Sequence, residues 1–133
     1  MCAWFVDHAP GVLEKRMQCI FCKIASKEVP ADIVWEDDDV VAFHDIKALA
    51  PVHILVIPKK HFSSLNDITD NDKALMGKLM ISAQKVAEKM GIAKEGYKFL
   101  IRVGQHGGQE VDHLHIHIIG GTQLFEEIHP LLQ

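Results

Sequence analysis

Apolar and polar residues alternate with helical spacing over one long stretch of the chain. From Thr69 or Asp70 to Met90, apolar residues recur at steps of three and four, with lysine and glutamate between them. This spacing predicts an amphipathic helix whose apolar stripe faces a core. Thr69, Asp70 or Asn71 can cap its first turn and Gly91 can end it, because these residues satisfy the unpaired backbone groups at helix termini.

Shorter apolar runs predict a short helix and five strands. Residues 20–26 can form one or two helical turns that end before Pro30, since the residue before a proline avoids the helical region. Runs rich in β-branched and aromatic residues predict strands at residues 33–35, 40–43, 52–57, 97–103 and 113–119, with an acidic hairpin turn at residues 36–39. This order indicates an α+β domain in which a mostly antiparallel sheet packs on one long helix.

Length and composition limit the class of protein. A chain of 133 residues, 48% hydrophobic and 24% charged, is typical of one globular domain. We expect residues 1–16 to be an N-terminal extension and residues 17–133 to be the single domain. The apolar runs are too short to span a membrane, and the first residues lack the basic start of a secretory signal, so we expect a cytoplasmic protein.

Charge disfavours a nucleic-acid partner. The formal net charge is −4, and the largest basic cluster is the pair Lys59 and Lys60. A protein that follows the phosphates of long nucleic acids needs a broader basic surface. Binding to a DNA duplex is therefore not expected.

Histidines are the unusual feature of this sequence, since the chain has nine of them and one tyrosine. His113, His115 and His117 occupy alternate positions, so in a strand they would share one face while the apolar residues between them share the other. Just before them, Gly107 and Gly108 permit a sharp turn that brings backbone close to a ligand. Three imidazoles beside a glycine turn indicate a metal site or a phosphate site.

The segment His113-Leu-His115-Ile-His117-Ile-Ile matches the His-φ-His-φ-His-φ-φ signature (φ apolar) of the histidine triad nucleotide-binding family. Similar segments follow in family order from Cys19 to Gly121, and the chain resembles the Hint branch, the purine nucleoside phosphoramidases. The resemblance implies a HIT-like fold, with a five-stranded, mostly antiparallel sheet and one long and one short helix. It also implies a homodimer paired through the long helix and a central strand.

Family roles carry over to matching positions. The resemblance implies that His115 attacks the α-phosphorus of a purine nucleoside 5′-phosphoramidate and forms a nucleotidyl-histidine intermediate, with His53 in the relay that orients it. His117 would face the phosphate or the departing amine. Implied substrate contacts are a phosphate cradle from Gly107, Gly108 and Gln109, ribose binding by Asp45, and a base slot lined by Ile20, Phe21, Ile24, Phe43 and Ile46.

Two positions depart from the family pattern. Arg102 stands where many members have asparagine, and Glu110 stands where many have serine or threonine. A carboxylate at Glu110 would repel a phosphate, so we expect it to point away, to accept a proton from the leaving amine or to favour cationic leaving groups. Arg102 could offset its charge.

Cys19 and Cys22 have the spacing of a zinc half-site, since two thiolates one helical turn apart can reach the same ion. In some bacterial histidine triad proteins, and in the related galactose-1-phosphate uridylyltransferases, two histidines complete such a site. The matching residues here are His61 and His113. The resemblance therefore implies structural zinc, with two thiols and no metal as the alternative; no organic cofactor is expected.

Three other functions stay open at this point. The same pocket could hold AMP or GMP as a signal in a non-catalytic regulatory module. The triad could bind zinc with an open position for water, as in zinc-dependent hydrolases. The substrate could also be a dinucleoside polyphosphate.

Overall fold

A computed structural model describes residues 18–131, so the predicted extension at residues 1–16 lies outside the described residues. The elements are α1 (Ile20–Ala25), β1 (Ile33–Glu36), β2 (Val40–His44), β3 (Val52–Pro58), α2 (Lys73–Lys89), β4 (Tyr97–Leu100) and β5 (Ile116–Gly120). The strands form one sheet in the order β1-β2-β3-β5-β4, and every pairing is antiparallel. The predicted α+β class, with five strands and a long and a short helix, is confirmed.

The sheet separates two hydrophobic clusters. On one face, α2 covers alternate residues of the central strands, including Ile54, Val56, Ile116 and Ile118. On the other face, α1 packs on the residues between them, such as Leu55 and Ile57 in β3. His53 and His117 alternate with the first set, so they lie on the α1 face.

Helix α2 begins and ends close to the predicted residues. A 3-10 turn, Asp70–Asp72, precedes it, and Thr69 caps that turn in a capping box with Asp72. The α-helix itself therefore starts at Lys73. At the other end Gly91 has a φ of 76°, a left-handed conformation that ends helices and that glycine adopts without strain.

Two predicted strands are too long. Strand β5 begins at Ile116 and β4 ends at Leu100, so His113 and His115 precede the strand that was expected to contain them. The reason is a hydrogen bond outside the sheet ladder: the Leu114 N–H donates to the Phe62 carbonyl at 2.7 Å. None of the helices in residues 18–131 is both long and apolar enough to cross a bilayer.

Candidate active site

His115 lies at the entry to β5, with 5% of its surface exposed. Its Nδ1 is 2.6 Å from the backbone carbonyl oxygen of His113. Because a carbonyl oxygen only accepts hydrogen bonds, Nδ1 carries the proton in this contact. The lone pair of the neutral ring is therefore on Nε2, where an attacking nitrogen needs it.

His53 and His117 form a second hydrogen-bonded chain. The Leu49 N–H donates to His53 Nδ1 at 3.1 Å, so the proton of the neutral His53 ring is on Nε2. His53 Nε2 is 3.0 Å from His117 Nδ1 and 3.4 Å from Asp45 Oδ2. His117 accepts at Nδ1 and therefore has its proton on Nε2, a buried nitrogen that bonds to no other described residue.

The family-based role of His53 in a relay that orients His115 stays a prediction. The hydrogen bond from the His53 ring goes to His117. The His115 ring has its own hydrogen bond to the carbonyl of His113. The two systems meet where the rings of His115 and His117 lie 4.9 Å apart.

Burial favours the neutral form of all three imidazoles. It is the largest cause that lowers the pKa of His53 and of His115 below the usual histidine value. For His117, burial and the neighbouring His115 and His53 lower the pKa to about 4. At neutral pH these rings are therefore uncharged, and one lone pair on His115 and one N–H on His117 are available to a ligand.

The backbone N–H groups of the glycine turn form hydrogen bonds within the turn. The N–H groups of Gly107, Gly108 and Gln109 donate to carbonyls of Gly104 and Gln105. The side-chain amide of Gln109 is also engaged, because its NH₂ group donates to the Ser63 and Val111 carbonyls and its oxygen accepts from the Gly104 N–H. These predicted phosphate donors contact a ligand only if the internal bonds open.

Gly107 is required by close approach of two backbone segments. A Cβ at this position would lie 2.4 Å from the carbonyl oxygen of Val103 and 2.8 Å from its nitrogen. No side chain fits at that distance. The turn is therefore packed directly on the chain that leaves β4.

The residues predicted to line the base slot separate into a buried floor and an exposed rim. Phe21 stacks edge-on against Phe43 and His115, with ring centroids 5.4 and 5.1 Å apart. These two phenylalanines and Ile24 are buried, whereas Ile20 is 42% exposed and Ile46 is 97% exposed. Of the buried residues, Phe21 contacts the His115 ring, whereas Ile20 and Ile46 are exposed to solvent.

The two predicted acidic site residues differ in their surroundings. Asp45 is half-buried; its Oδ1 accepts the Lys47 N–H, while its other oxygen faces His53. Glu110 is exposed and, together with Cys19, Ile20 and Asp112, borders a cavity of about 360 Å³. Asp45 thus belongs to the histidine network, and Glu110 lies at the rim near α1.

The four predicted metal ligands converge. Cys19 Sγ, Cys22 Sγ, His61 Nδ1 and His113 Nδ1 all lie within 4.8 Å of one another. The closest pairs are 3.1 Å between the two Nδ1 atoms and 3.2–3.5 Å between sulfur and nitrogen. Tetrahedral zinc, with bonds of about 2.0 Å to nitrogen and 2.3 Å to sulfur, separates its ligand atoms by roughly 3.3–3.8 Å.

The protonation of His113 also fits a metal. Its Nε2 is 2.8 Å from the Pro58 carbonyl oxygen, so the proton is on Nε2 and Nδ1 presents a lone pair to the cysteines. The pKa of the Cys19 thiol is lowered to about 2, and the largest cause is its hydrogen bond with the Cys22 side chain. The His113 lone pair, the two sulfurs and the neighbouring His61 Nδ1 form a set of donor atoms suited to a cation.

The histidines of the triad do not converge on one point. His113 groups with the cysteines, whereas His117 groups with Asp45 and His53. In the group of His117, Asp45 and His53, a hydrogen bond already accounts for the short distance between His53 Nε2 and His117 Nδ1. The arrangement does not favour a zinc-dependent hydrolase that uses all three residues as ligands.

Several groups that hold the site have no signature in the sequence. They are backbone atoms: the carbonyls of His113 and Pro58 and the N–H of Leu49. Every residue carries such groups, so only the folded chain shows which of them a ring will meet. The nearest sequence signal is the set of histidines themselves.

Comparison with known proteins gives the family. A model described as HIT domain matches residues 26–124. The chain is 51% identical to protein HitA of Neisseria gonorrhoeae, over 77% of this chain and 94% of that protein. It is 44% identical to the purine nucleoside phosphoramidase of Escherichia coli strain K12, over 80% of this chain and 90% of that protein.

Solved structures agree with these relatives. A histidine triad protein from Clostridium difficile superposes with a TM-score of 0.81 at 45% identity, covering 84% of this chain and 97% of that one. A HIT family hydrolase from Legionella pneumophila Philadelphia 1 gives a TM-score of 0.79, also at 45% identity, covering 81% of this chain and 96% of that one. This chain belongs to the HIT domain family.

Proposed function

We propose that the protein is a nucleotidyl hydrolase that cleaves the P–N bond of purine nucleoside 5′-phosphoramidates through an intermediate on His115. The observation that carries this function is the hydrogen bond from His115 Nδ1 to the His113 carbonyl, which leaves Nε2 unprotonated. The lowered pKa of His115 keeps that nitrogen unprotonated at pH 7. The activity named for the Escherichia coli relative supports the choice of substrate.

The first step forms a covalent nucleotide. His115 Nε2 attacks the α-phosphorus, the P–N bond breaks, and the amine leaves with a proton that it takes from water. The ring then carries the phosphoryl group on Nε2 and a proton on Nδ1, and the His113 carbonyl stabilises the resulting positive charge. In the second step water attacks the same phosphorus, the N–P bond to His115 breaks, and the nucleoside 5′-phosphate and the neutral ring are released. The proton that this water loses returns to solvent and balances the proton taken by the amine.

His117 is the hydrogen-bond donor to the leaving group. Its Nε2–H has no partner among the described residues, and its ring lies beside that of His115. The ring is neutral, so it donates a hydrogen bond to the leaving nitrogen and keeps its proton. The His53 Nε2–H holds Nδ1 of His117 in its accepting role.

Release of amine from adenosine 5′-phosphoramidate tests the reaction. We expect His115→Gly to lose at least about a thousandfold in turnover. Intact mass spectrometry of the quenched wild-type reaction should show a nucleotidyl adduct that is absent from the variant. His129→Gly, at an exposed histidine in the C-terminal segment, is the matched control and should turn over as the wild type does.

Other outcomes would select a different function. A wild-type protein that binds AMP or GMP without turnover would be a regulatory nucleotide-binding module. Faster cleavage of diadenosine polyphosphates than of the phosphoramidate would make it a dinucleoside polyphosphate hydrolase. Turnover that persists in His115→Gly would exclude the covalent mechanism.

We also propose that Cys19, Cys22, His61 and His113 bind structural zinc, on the basis of their convergence and of the lone pair at His113 Nδ1. When bound, the ion would cross-link α1, the segment after β3 and the segment before β5. We expect about one zinc per chain by elemental analysis, and much less in Cys22→Ser than in the control Cys2→Ser. Freshly purified protein that is active without zinc would refute this site.

A homodimer is the proposed assembly. Strand β4 ends the sheet order, so its outer edge is unpaired within residues 18–131, and Met80 and Ile81 of α2 are 54% and 53% exposed. An open strand edge and exposed apolar residues favour association with a second copy. Sedimentation should give a dimer for the wild type and a larger monomer fraction for Ile81→Glu; a monomeric wild type would contradict the assembly.

A further inference from the structure

Arg102 is a cation at the active site that the reaction described above does not use. Strand β4 pairs with β5 in a register that places Leu100 opposite His117. Arg102 follows the end of this strand by two residues, so it lies at the end of the sheet where His115 enters β5. Its charge acts on His115, where it is one of the lesser causes that lower the pKa of that ring.

The side chain lies over the glycine turn. Its Nη1 and Cδ would be 3.5 and 3.8 Å from a Cβ at Gly108. The charge also acts on the histidines, since it is one of the lesser causes that lower the pKa of His53 and of His117. The guanidinium therefore lies between the turn and the histidine network.

No described carboxylate neutralises this charge. Within residues 18–131, nine pairs of oppositely charged groups are close enough for an ion pair. Lys98 with Glu126 is one of them, and none includes Arg102. Glu110, whose charge Arg102 was expected to offset, is not its partner in the structure. A half-buried cation without a counter-ion gains most from an anion supplied by a ligand.

The other expected phosphate donors are already engaged. The N–H groups of Gly107, Gly108 and Gln109 and the Gln109 amide bond within the turn or to neighbouring backbone. His117 offers a single N–H, which the leaving amine needs. Charge on the phosphoryl oxygens therefore lacks a strong donor unless Arg102 supplies it.

We propose that Arg102 is a substrate-binding residue whose guanidinium holds the oxygens of the reacting phosphoryl group and selects nucleotides over uncharged nucleosides. This role rests on the proposed function for the identity of the reacting group. A guanidinium presents paired N–H donors that match two phosphate oxygens, whereas an amide in its place would provide hydrogen bonds without charge. The chain thus binds its substrate mainly through the phosphate.

Calorimetric binding of AMP and of adenosine to wild type, Arg102→Gln, Arg102→Lys and Lys98→Gln tests this role. We expect Arg102→Gln to weaken AMP binding roughly tenfold or more, with adenosine changed less than about twofold. Arg102→Lys should recover part of the AMP affinity. Lys98→Gln removes the same charge from β4, where Lys98 pairs with Glu126, and should bind AMP as the wild type does.

Three results would overturn the role of Arg102: unchanged AMP affinity in Arg102→Gln, an equal loss for AMP and adenosine, or a wild type that binds neither. Turnover of adenosine 5′-phosphoramidate is measured in parallel. If the wild type binds AMP through Arg102 but does not turn over, the hydrolase function fails and the binding role of Arg102 stands. If turnover is normal in both wild type and Arg102→Gln, with equal KM, the hydrolase stands and the role of Arg102 fails.

Discussion

Gly107→Ala is the substitution whose effect follows most directly from the structure. The new Cβ would lie 2.4 Å from the Val103 carbonyl oxygen and 2.8 Å from the Val103 nitrogen. Carbon and oxygen atoms in close non-bonded contact are usually at least about 3.3 Å apart. The turn or the chain after β4 must therefore move by roughly 0.9 Å, and both are backbone, which cannot swing aside as a side chain can.

The loss in the free energy of unfolding caused by Gly107→Ala can be estimated from two opposing contributions. Inserting a methyl group into a packed site costs roughly 1–3 kcal/mol, offset by up to about 1 kcal/mol because alanine has less freedom than glycine in the unfolded chain. We expect a net loss near 2 kcal/mol in the free energy of unfolding, which lowers Tm by about 6–10 °C. AMP affinity should fall as well, because Gly107 and Arg102 belong to the same surface.

Gly77→Ala is the matched control. Gly77 lies inside α2, is exposed, and has no atom within 4 Å of a Cβ built on it. Alanine in a helix interior is favoured over glycine by about 0.5–1 kcal/mol, so this variant should melt a few degrees above the wild type. Thermal unfolding of both variants by circular dichroism checks the pair. A Gly107→Ala protein that melts at or above the wild-type temperature, with full AMP affinity, would refute the reasoning.

Three further measurements test other parts of the structure. Because burial lowers the pKa of His115, the fall in kcat/KM for the phosphoramidate at acid pH should be centred below the ordinary histidine pKa of about 6.5; a fall centred at or above 6.5 would contradict this. His117 binds its proton with a pKa of about 4 when folded and roughly 6.5 when unfolded, so the unfolded chain holds more protons between these values. The free energy of unfolding should therefore drop as pH falls from 6.5 to 4, by up to about 3 kcal/mol, and His117→Asn should flatten the slope; an equal slope in both proteins would exclude this source. Thr69→Ala removes the cap of the turn before α2 and should cost about 1 kcal/mol of stability at unchanged turnover, whereas unchanged stability would show that the cap contributes nothing.

Local patterns predicted those parts of the fold that local interactions determine. Helix α2 is encoded by its apolar spacing and by capping residues at both ends, and the structure places its ends within a few residues of the prediction. The start of β5 depends instead on a bond from Leu114 to Phe62, which are distant in sequence. Periodicity contains no information on such a partner, so the strand was predicted three residues too long at its start.

The site shows the same division. Histidine spacing located the imidazoles, and the family resemblance named four residues that do converge as metal-ligating atoms. The tautomers depend on backbone carbonyls at His113 and Pro58, which have no sequence signature. The ring that His53 contacts has no sequence signature either, because the distance between His53 and His117 is set by the folded chain.

His113 uses three different polar groups at once. Its Nδ1 faces the cysteines, its Nε2 bonds to Pro58 and its carbonyl oxygen holds His115. A substitution at position 113 removes the ring from the thiols and from Pro58 but keeps the carbonyl that bonds to His115. Any effect of such a substitution on His115 therefore reaches it through a shift of this shared backbone and would report on scaffolding.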